Sequence, residues 1–212
     1  MGNEYTALVT KHMVERWHLP FIVNIGLTGS FDDDLRIGSV LVPSQITQYT
    51  ANGKAKNNEN DDGTEFIIGT RAFATSRLIV NQFNAFKSTE EYQSWQEHCA
   101  SKGDSRTKIP EIHTGHLASG NMVVDSEHYK MKLKATDRKL MGCEMEAAGF
   151  AIAEQFLQTA VRVTCQFICL RCISDMAANK SEVETRDPSN ESALMPREWA
   201  MRNATYLFLW LL

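Results

Sequence analysis

Apolar residues along this chain occur in two patterns that alternate from one end to the other. In some segments they recur near helical spacing, which is typical of an amphipathic helix, and in others they form short continuous runs, which are typical of buried strands. The helical pattern predicts helices over residues 3–17, 89–100, 126–133, 147–158 and 197–212. The continuous runs predict strands over residues 21–25, 37–46, 66–69, 112–118, 122–124, 140–143 and 161–171.

Because helices and strands alternate and no repeat is visible, the pattern predicts an α/β domain with a mixed or mainly parallel sheet. Residues 1–212 are most simply one domain, since 212 residues with a 43% hydrophobic share suffice for one core. Ligands of such sheets collect at the carboxyl ends of the strands. Turns that follow predicted strands, at residues 26–30, 119–121, 143–146 and 174–175, are expected to converge on one pocket.

The overall charge restricts the kind of partner. A formal charge of −4 and the lack of a long Lys/Arg run argue against nucleic acid or an anionic membrane surface, and favour a small-molecule ligand. No apolar run approaches the roughly 20 residues that span a bilayer, and the N-terminus lacks the residue order of a signal peptide. The chain is therefore predicted to be cytoplasmic.

Residues 50–64 are polar, rich in turn-forming residues and without periodicity. This composition predicts a mobile surface loop. A functional lid is the alternative interpretation.

Three of the five cysteines, Cys165, Cys169 and Cys172, crowd one apolar stretch. A metal site is one interpretation of this trio, but the spacing fits no zinc pattern. We interpret these residues as small buried hydrophobes and predict neither a metal nor a cofactor.

Three carboxylates interrupt otherwise apolar segments. Glu144 and Glu146 precede an alanine-rich predicted helix, and Asp175 follows a long apolar run. Burying an ionised carboxylate without partners costs several kcal/mol, so such positions usually manage a polar ligand or a proton. The structural alternatives are an N-cap for Asp175, a first-turn residue favoured by the helix dipole for Glu146, and an exposed helix start for Glu144.

Four segments in order resemble a known family: NIGLTGSFDDDLRIGSVLV at residues 24–42, HLASGNMVV at 116–124, CEMEAAG at 143–149 and LRCISDMA at 170–177. Together they resemble the nucleoside phosphorylase superfamily and, within it, the methylthioadenosine/S-adenosylhomocysteine nucleosidases. The likeness covers most of the chain. It implies a three-layer α/β/α fold and cleavage of the N-glycosidic bond between a purine and ribose.

The resemblance also implies roles for individual residues. Asp175 matches the acid that protonates or hydrogen-bonds the imidazole-side nitrogen of the purine, with Ser174 supporting it. Glu146 matches the residue that binds the ribose hydroxyls, and Met145 matches the residue that packs on the sugar. Glu144 matches the family's first Glu, which lies near the sugar.

Two further segments complete the expected site. Thr28 and Gly29 match the loop that passes close to the base and ribose, while Met122 and Val123 match residues that flank the base. Many members have an aromatic residue in this last stretch. Its absence here predicts weaker base stacking.

The chemistry of glycosidic cleavage explains these residue types independently of the family resemblance. Glycosidic cleavage passes through a sugar with oxocarbenium character, so protonating the leaving base and placing negative charge near the ribose both accelerate it. Asp175 suits the first task, because the apolar run before it would bury it. Glu146 suits the second, because an ionised carboxylate accepts two hydroxyl hydrogen bonds.

The acceptor is water or phosphate. Bacterial purine phosphorylases of the superfamily carry an Arg just before the glycine turn, whereas this chain has Asn24, as nucleosidases do. The resemblance therefore favours hydrolysis. Arg71 and Arg171 remain candidates for contacting an anionic group, although Arg171 would more commonly cap a strand end or pair with a nearby carboxylate.

One part of the family pattern has no match. Members begin with strands that carry a water-activating glutamate, about fifty residues by domain-size expectations, whereas this chain starts at the helix that follows them. Glu4 and Glu15 are weak substitutes. Three explanations remain open. The chain is a fragment of a larger protein, a divergent member that uses another base, or a nucleoside-binding domain that has lost turnover. Missing strands would expose a sheet edge, so we expect a homodimer or higher oligomer, or part of a larger chain.

Three functions follow from these observations. The first is a purine nucleosidase that hydrolyses an adenine-type nucleoside or nucleotide, impaired if its base is missing. The second is a non-catalytic nucleoside-binding or sensor domain. The third and weakest is a purine nucleoside phosphorylase.

Overall fold

The computed structural model describes residues 2–57, 64–103, 109–178 and 194–210. Its helices are α1 Asn3–Trp17, α2 Arg77–Phe86, α3 Glu90–Ala100, α4 Glu127–Thr136, α5 Ala147–Phe156 and α6 Pro196–Trp210. Its strands are β1 Phe21–Ser30, β2 Val40–Gln48, β3 Lys54–Asn57, β4 Thr64–Ile67, β5 Arg71–Ala74, β6 Ile112–Ser119, β7 Leu140–Glu144 and β8 Gln166–Asp175.

Several predicted elements are displaced or wrong. The predicted strand at 161–171 begins later, because Leu157–Val161 continues α5 as one π-helical turn and Arg162 then takes a left-handed conformation. The predicted strand at 122–124 is wrong, since these residues have irregular structure. Helix α2 was not predicted, although its buried residues recur at helical spacing.

The polar segment at 50–64 contains all of β3 and the first residue of β4. Its mobility stays a prediction. Strands β3 and β4 pair as an antiparallel hairpin, with Lys54 opposite Ile67. Residues 58–63, between these strands, lie outside the described residues, as does the polar loop that carries Pro188.

The main sheet is mixed and curls until it closes. Its order is β5-β2-β6-β7-β1-β8, and β8 also pairs with β2. The long ladders β1–β8 and β2–β6 are parallel, while β1–β7, β2–β5 and β2–β8 are antiparallel. Register shifts interrupt three ladders, and such bulges bend a strand and increase its twist, which favours closure.

Helices cover the sheet from two sides. Helices α1 and α5 bury one cluster against it, and α2, α3 and α6 bury another. Alternate residues of β2 face the two clusters: Leu41 belongs to the first, and Val40 and Val42 to the second. An α/β fold with a mixed sheet and flanking helices, as predicted, is confirmed.

The cysteine trio is divided between these clusters. Cys165 and Cys169 are buried under α5, while Cys172 is buried on the other side of the sheet. The interpretation as buried hydrophobes is confirmed. Within the described ranges, no group of three or more His, Cys, Asp or Glu side chains is arranged to hold a metal ion.

None of the helices in the described part of the chain has both the length and the apolar character that a membrane span requires. The cytoplasmic location stays a prediction.

Candidate active site

The ends of β1, β7 and β8 border one cavity of about 180 Å³, which is open to solvent. All nine residues that the sequence predicts for the site lie in its wall: Thr28, Gly29, Met122, Val123, Glu144, Met145, Glu146, Ser174 and Asp175. Four lining residues were not predicted: Leu27, Val124, Cys143 and Arg197.

Gly29 is the point where three strands meet. A register shift in β1 places it opposite Asp175 of β8, and it also pairs with Cys143 of β7. A Cβ on Gly29 would lie 2.7 Å from Asp175 Oδ1 and 3.0 Å from Ala177 Cβ. Glycine is therefore required for β1 to pass this close to the carboxylate.

Asp175 is buried at the end of β8, with 6% of its surface exposed. Ser174 Oγ donates to its Oδ2 at 2.9 Å, and the amide of Ala177 donates to its Oδ1 at 2.9 Å. These donors orient the carboxylate at the cavity wall. The alternative interpretation as a helix N-cap is wrong for the described residues, since no helix begins between Asp175 and residue 178.

Glu144 and Arg171 form a buried ion pair behind the cavity. Arg171 Nη2 and Nε lie 2.7 Å and 3.0 Å from Glu144 Oε2, and the two side chains are 1% and 2% exposed. Arg171 Nη1 also donates to the carbonyl oxygens of Asn24 and Leu170. Burial opposes the charge on Arg171, but the Glu144 carboxylate raises its pKa above the ordinary value.

The carboxylate of Glu144 also caps helix α5. It accepts hydrogen bonds from the amide of Glu146 at 2.9 Å and from that of Ala147 at 2.9 and 3.0 Å. The next two amides donate to Ser119 Oγ and Asn3 Oδ1, each at 2.9 Å. Because helix N-termini leave their first amides unpaired, these contacts fix where α5 begins. The alternative of an exposed Glu144 is wrong.

Glu146 occupies the N-cap position of α5 and lines the cavity half-buried. Burial raises the pKa of its carboxyl, and the nearby charge of Glu144 raises it further, while Arg171 opposes both effects. The Glu146 carboxyl is thus partly desolvated, and it is accessible from the cavity. That combination is common at functional sites.

Tyr49 supports the segment that carries Met122 and Val123. Its hydroxyl donates to the carbonyl oxygen of Met122 at 3.0 Å, and its ring packs directly on Gly120, where no side chain would fit. Met122 and Val123 are 47% and 65% exposed. An aromatic residue is therefore present beneath this wall, although it does not line the cavity.

The two arginines proposed as anion contacts do not serve the cavity as free cations. Arg171 is paired with Glu144, a partner that the sequence did not identify. Arg71 lies on β5, donates to Gln155 Oε1 at 2.7 Å and covers the ring of Phe73. Arg197, at the start of α6, also borders the cavity, and no sequence pattern indicated it.

The suggested substitute bases lie outside the cavity wall. Glu15 pairs with Lys11 at 2.6 Å on the surface of α1. Glu4 accepts hydrogen bonds from Asn121 Nδ2 at 2.8 and 3.0 Å. Neither residue borders the cavity.

A closed mixed α/β sheet whose strand ends carry acidic residues around one cavity is typical of proteins that bind small polar ligands. The chain matches the phosphorylase superfamily over residues 1–206, and it belongs to that superfamily. The resemblance carried by the four sequence segments is therefore confirmed.

Curated relatives are nucleosidases. The chain is 24% identical over 193 residues to the 5'-methylthioadenosine/S-adenosylhomocysteine nucleosidase of Staphylococcus haemolyticus, a match that covers 91% of this chain and 73% of that protein. It is 22% identical to the enzyme of the same name from Staphylococcus epidermidis, over 93% of this chain and 75% of the relative.

Solved structures share the fold. The nucleosidase of Neisseria meningitidis with methylthio-immucillin-A has a TM-score of 0.64 and 16% identity, over 100% of this chain and 77% of that one. The Colwellia psychrerythraea nucleosidase with adenine has a TM-score of 0.60 and 23% identity, over 100% and 74%. A futalosine hydrolase mutant of Helicobacter pylori has a TM-score of 0.60 and 21% identity, over 100% and 76%.

The ion pair predicts a specific pattern of stability. Arg171→Met should destabilise the fold by about 3–5 kcal/mol, because it leaves Glu144 buried and unpaired. Glu144→Gln combined with Arg171→Met should recover part of this loss. Urea unfolding followed by circular dichroism measures both.

Lys11→Met is the matched control, since it breaks the exposed pair with Glu15 and should cost under about 1 kcal/mol. A loss of similar size in Arg171→Met and Lys11→Met would contradict the structural role of the buried pair.

Proposed function

We propose that this protein hydrolyses the N-glycosidic bond of an adenine-type purine nucleoside or nucleotide. The observation that carries the proposal is the position of Asp175 and Glu146, which come from different elements and border the same cavity. The names of the curated relatives and the adenine bound to one solved relative support the substrate class.

Asp175 acts on the leaving base in this proposal. As the bond between the anomeric carbon and the base nitrogen breaks, its electrons move onto the purine, and Asp175 protonates or hydrogen-bonds the imidazole-side nitrogen. Ser174 Oγ and the amide of Ala177 hold the carboxylate in position from behind. Gly29 allows β1 to pass close to the same carboxylate.

Glu146 acts on the sugar. Its ionised carboxylate accepts hydrogen bonds from the ribose hydroxyls, and its charge stabilises the oxocarbenium character that develops on the ring. Met145 packs on the sugar, and Glu144 positions Glu146 through its hydrogen bond to the Glu146 amide. Thr28 ties β1 to β7 through its hydrogen bond to the Cys143 carbonyl at 2.9 Å.

Water completes the reaction by adding to the anomeric carbon and releasing a proton. The carboxylates in the described cavity wall are Glu144, Glu146 and Asp175, and the first is committed to Arg171 and the start of α5. Loss of a dedicated general base costs a factor of about 10² to 10⁴, so we propose slow turnover by the isolated chain.

The open side of β1 supports an oligomer. One edge of β1 pairs with β8. On its other edge, the described pairing is limited to Gly29 and Ser30, which pair with β7. A groove of about 330 Å³ follows this edge, is bordered by α1 and reaches Glu146. Apolar α1 residues are exposed beside it, Tyr5 at 56%. We propose that a second copy covers this face, because unpaired strand edges and apolar patches favour association.

If Asp175 acts as the acid, its substitution should reduce turnover far more than it reduces ligand binding. Asp175→Asn should abolish adenine release from adenosine while changing ligand affinity by less than about tenfold, because the amide keeps the shape of the site without the proton. Chromatography measures adenine, and calorimetric titration measures binding. Asp137→Asn, an acid that pairs with His116 outside the cavity, is the control.

Equal loss of binding and release in Asp175→Asn would contradict the acid role. Heat of binding without any adenine release by the unaltered protein would instead identify a nucleoside sensor. Turnover that requires phosphate would identify a phosphorylase.

Glu146 predicts a pH dependence of affinity. The folded pKa of this carboxyl is raised above its ordinary value of 4.5, so protonation on acidification occurs at a higher pH than for an exposed Glu. Since the ionised form accepts the ribose hydroxyls, affinity for adenosine should fall as the pH falls through this raised pKa. Calorimetric titrations across the acidic range should show that the affinity of Glu146→Gln for adenosine does not vary with pH. If the affinity of this variant fell on acidification as it does in the unaltered protein, the assignment would be contradicted.

Association through the α1 face is also measurable. Light scattering after size exclusion should give at least a dimer at micromolar concentration, and Tyr5→Lys should shift it to monomer. Met131→Lys, which changes an exposed residue of α4, should leave the mass unchanged. A monomer at all concentrations, or equal effects of both substitutions, would contradict this proposal.

A further inference from the structure

Asn3 uses its side chain for a helix other than its own. It is the first residue of α1, and α1 has no side-chain cap, although Asn near a helix start commonly caps that helix. Asn3 is 2% exposed, and a buried amide group needs hydrogen-bond partners. Two of these partners lie 116 and 146 residues away in sequence, in β6 and α5. The side chain therefore joins distant parts of the fold.

The side-chain oxygen of Asn3 serves the first turn of α5. Asn3 Oδ1 accepts hydrogen bonds from Ser119 Oγ at 3.1 Å and from the Gly149 amide at 2.9 Å. Ser119 Oγ in turn accepts from the Ala148 amide at 2.9 Å. Because a hydroxyl has one proton, donating it to Asn3 leaves the lone pairs of Ser119 for this amide. Asn3 thus binds one amide of α5 directly and orients the acceptor of another.

Helices α1 and α5 approach each other closely at this point. A Cβ on Gly149 would lie 1.9 Å from the backbone carbonyl oxygen of Asn3, so glycine is required there. Asn3 is also tied to the turn after β6, because its backbone amide and its Nδ2 donate to Asn121 Oδ1 at 3.2 and 3.3 Å. Contacts from two directions therefore fix Asn3 against the start of α5.

The start of α5 carries Glu146, which borders the cavity. Glu146 is the N-cap residue, and its carbonyl oxygen accepts from the Phe150 amide at 3.2 Å. The direction of its side chain depends on the first turn, whose amides have no partners within the helix. Glu144 binds the first of these amides, while Asn3 and Ser119 bind the next two. Losing the second set would loosen the turn that holds Glu146.

We propose that Asn3 is a positioning residue, which holds the start of α5 so that Glu146 faces the ribose. The inference rests on the proposed glycosidic cleavage and adds to it a residue that does not line the cavity. A shift of about 1 Å in a group that contacts the substrate is enough to weaken its hydrogen bonds. Asn3 therefore acts on the ligand through Glu146.

A double-mutant cycle measures this coupling. Asn3→Ala should weaken adenosine binding about tenfold, because Gly149 loses its partner and Ser119 is no longer oriented. In a Glu146→Ala background the same change should cost less than about twofold, since the side chain that Asn3 positions is absent. Calorimetric titration measures all four affinities. Equal losses in the two backgrounds overturn the proposal, because a general structural effect is additive.

A conservative variant and a matched control separate positioning from loss of stability. Asn3→Asp keeps an acceptor for Ser119 and Gly149, and the helix dipole favours its charge, so affinity should stay within about threefold. Asn203 is also buried and donates to the Gly38 carbonyl at 3.0 Å, but it does not line the cavity. Asn203→Ala should lower stability in urea and leave affinity unchanged. Equal affinity losses in Asn3→Asp and Asn3→Ala, or in Asn203→Ala and Asn3→Ala, overturn the proposal.

Hydrogen exchange tests the positioning without a ligand. Mass spectrometry should show faster exchange of the backbone amides of residues 146–149 in Asn3→Ala but not in Asn203→Ala, because only the first change removes their partners. Unchanged exchange in Asn3→Ala overturns the role of Asn3. Failure of the unaltered protein to bind adenosine contradicts the proposed function instead, and the exchange result then decides by itself whether Asn3 holds the start of α5.

Discussion

A buried ion pair between Glu144 and Arg171 is the constraint on which this site depends. Each charge is stable inside the protein only because the other is present and hydrogen-bonded, since an uncompensated buried charge costs several kcal/mol. The pair joins the end of β7 to the interior of β8, and the same carboxylate caps the first amides of α5. The end of β7, the interior of β8 and the start of α5 are thereby held in a single arrangement.

This arrangement separates the tasks of three carboxylates that lie close in sequence or space. Glu144 is used by the fold, and Glu146 and Asp175 are left to face the cavity. Burial and the nearby charge of Glu144 raise the pKa of Glu146, because both disfavour its ionised form. In the proposed reaction, the remaining negative charge suits a sugar that becomes cationic.

The family resemblance, together with the pattern of strand ends, predicted which residues line the cavity better than the apolar pattern predicted the strands and helices. Residues near strand ends, such as Gly29 and Asp175, were predictable because small or acidic residues interrupt apolar runs there. The pairing of Glu144 with Arg171 was not, since the contact joins residues 27 positions apart. Closure of the sheet depends on bulges that no apolar pattern reveals. Arg197 carried no signal, because one arginine at a helix start is ordinary on a surface.

The most direct test of the central claim is a crystal structure of the protein with adenosine or a non-hydrolysable adenine nucleoside bound. The account predicts the imidazole side of the base within hydrogen-bond distance of Asp175 and the ribose hydroxyls on Glu146, with Glu144 still paired to Arg171. A ligand bound elsewhere, or a sugar that faces away from Glu146 in this cavity, would contradict it.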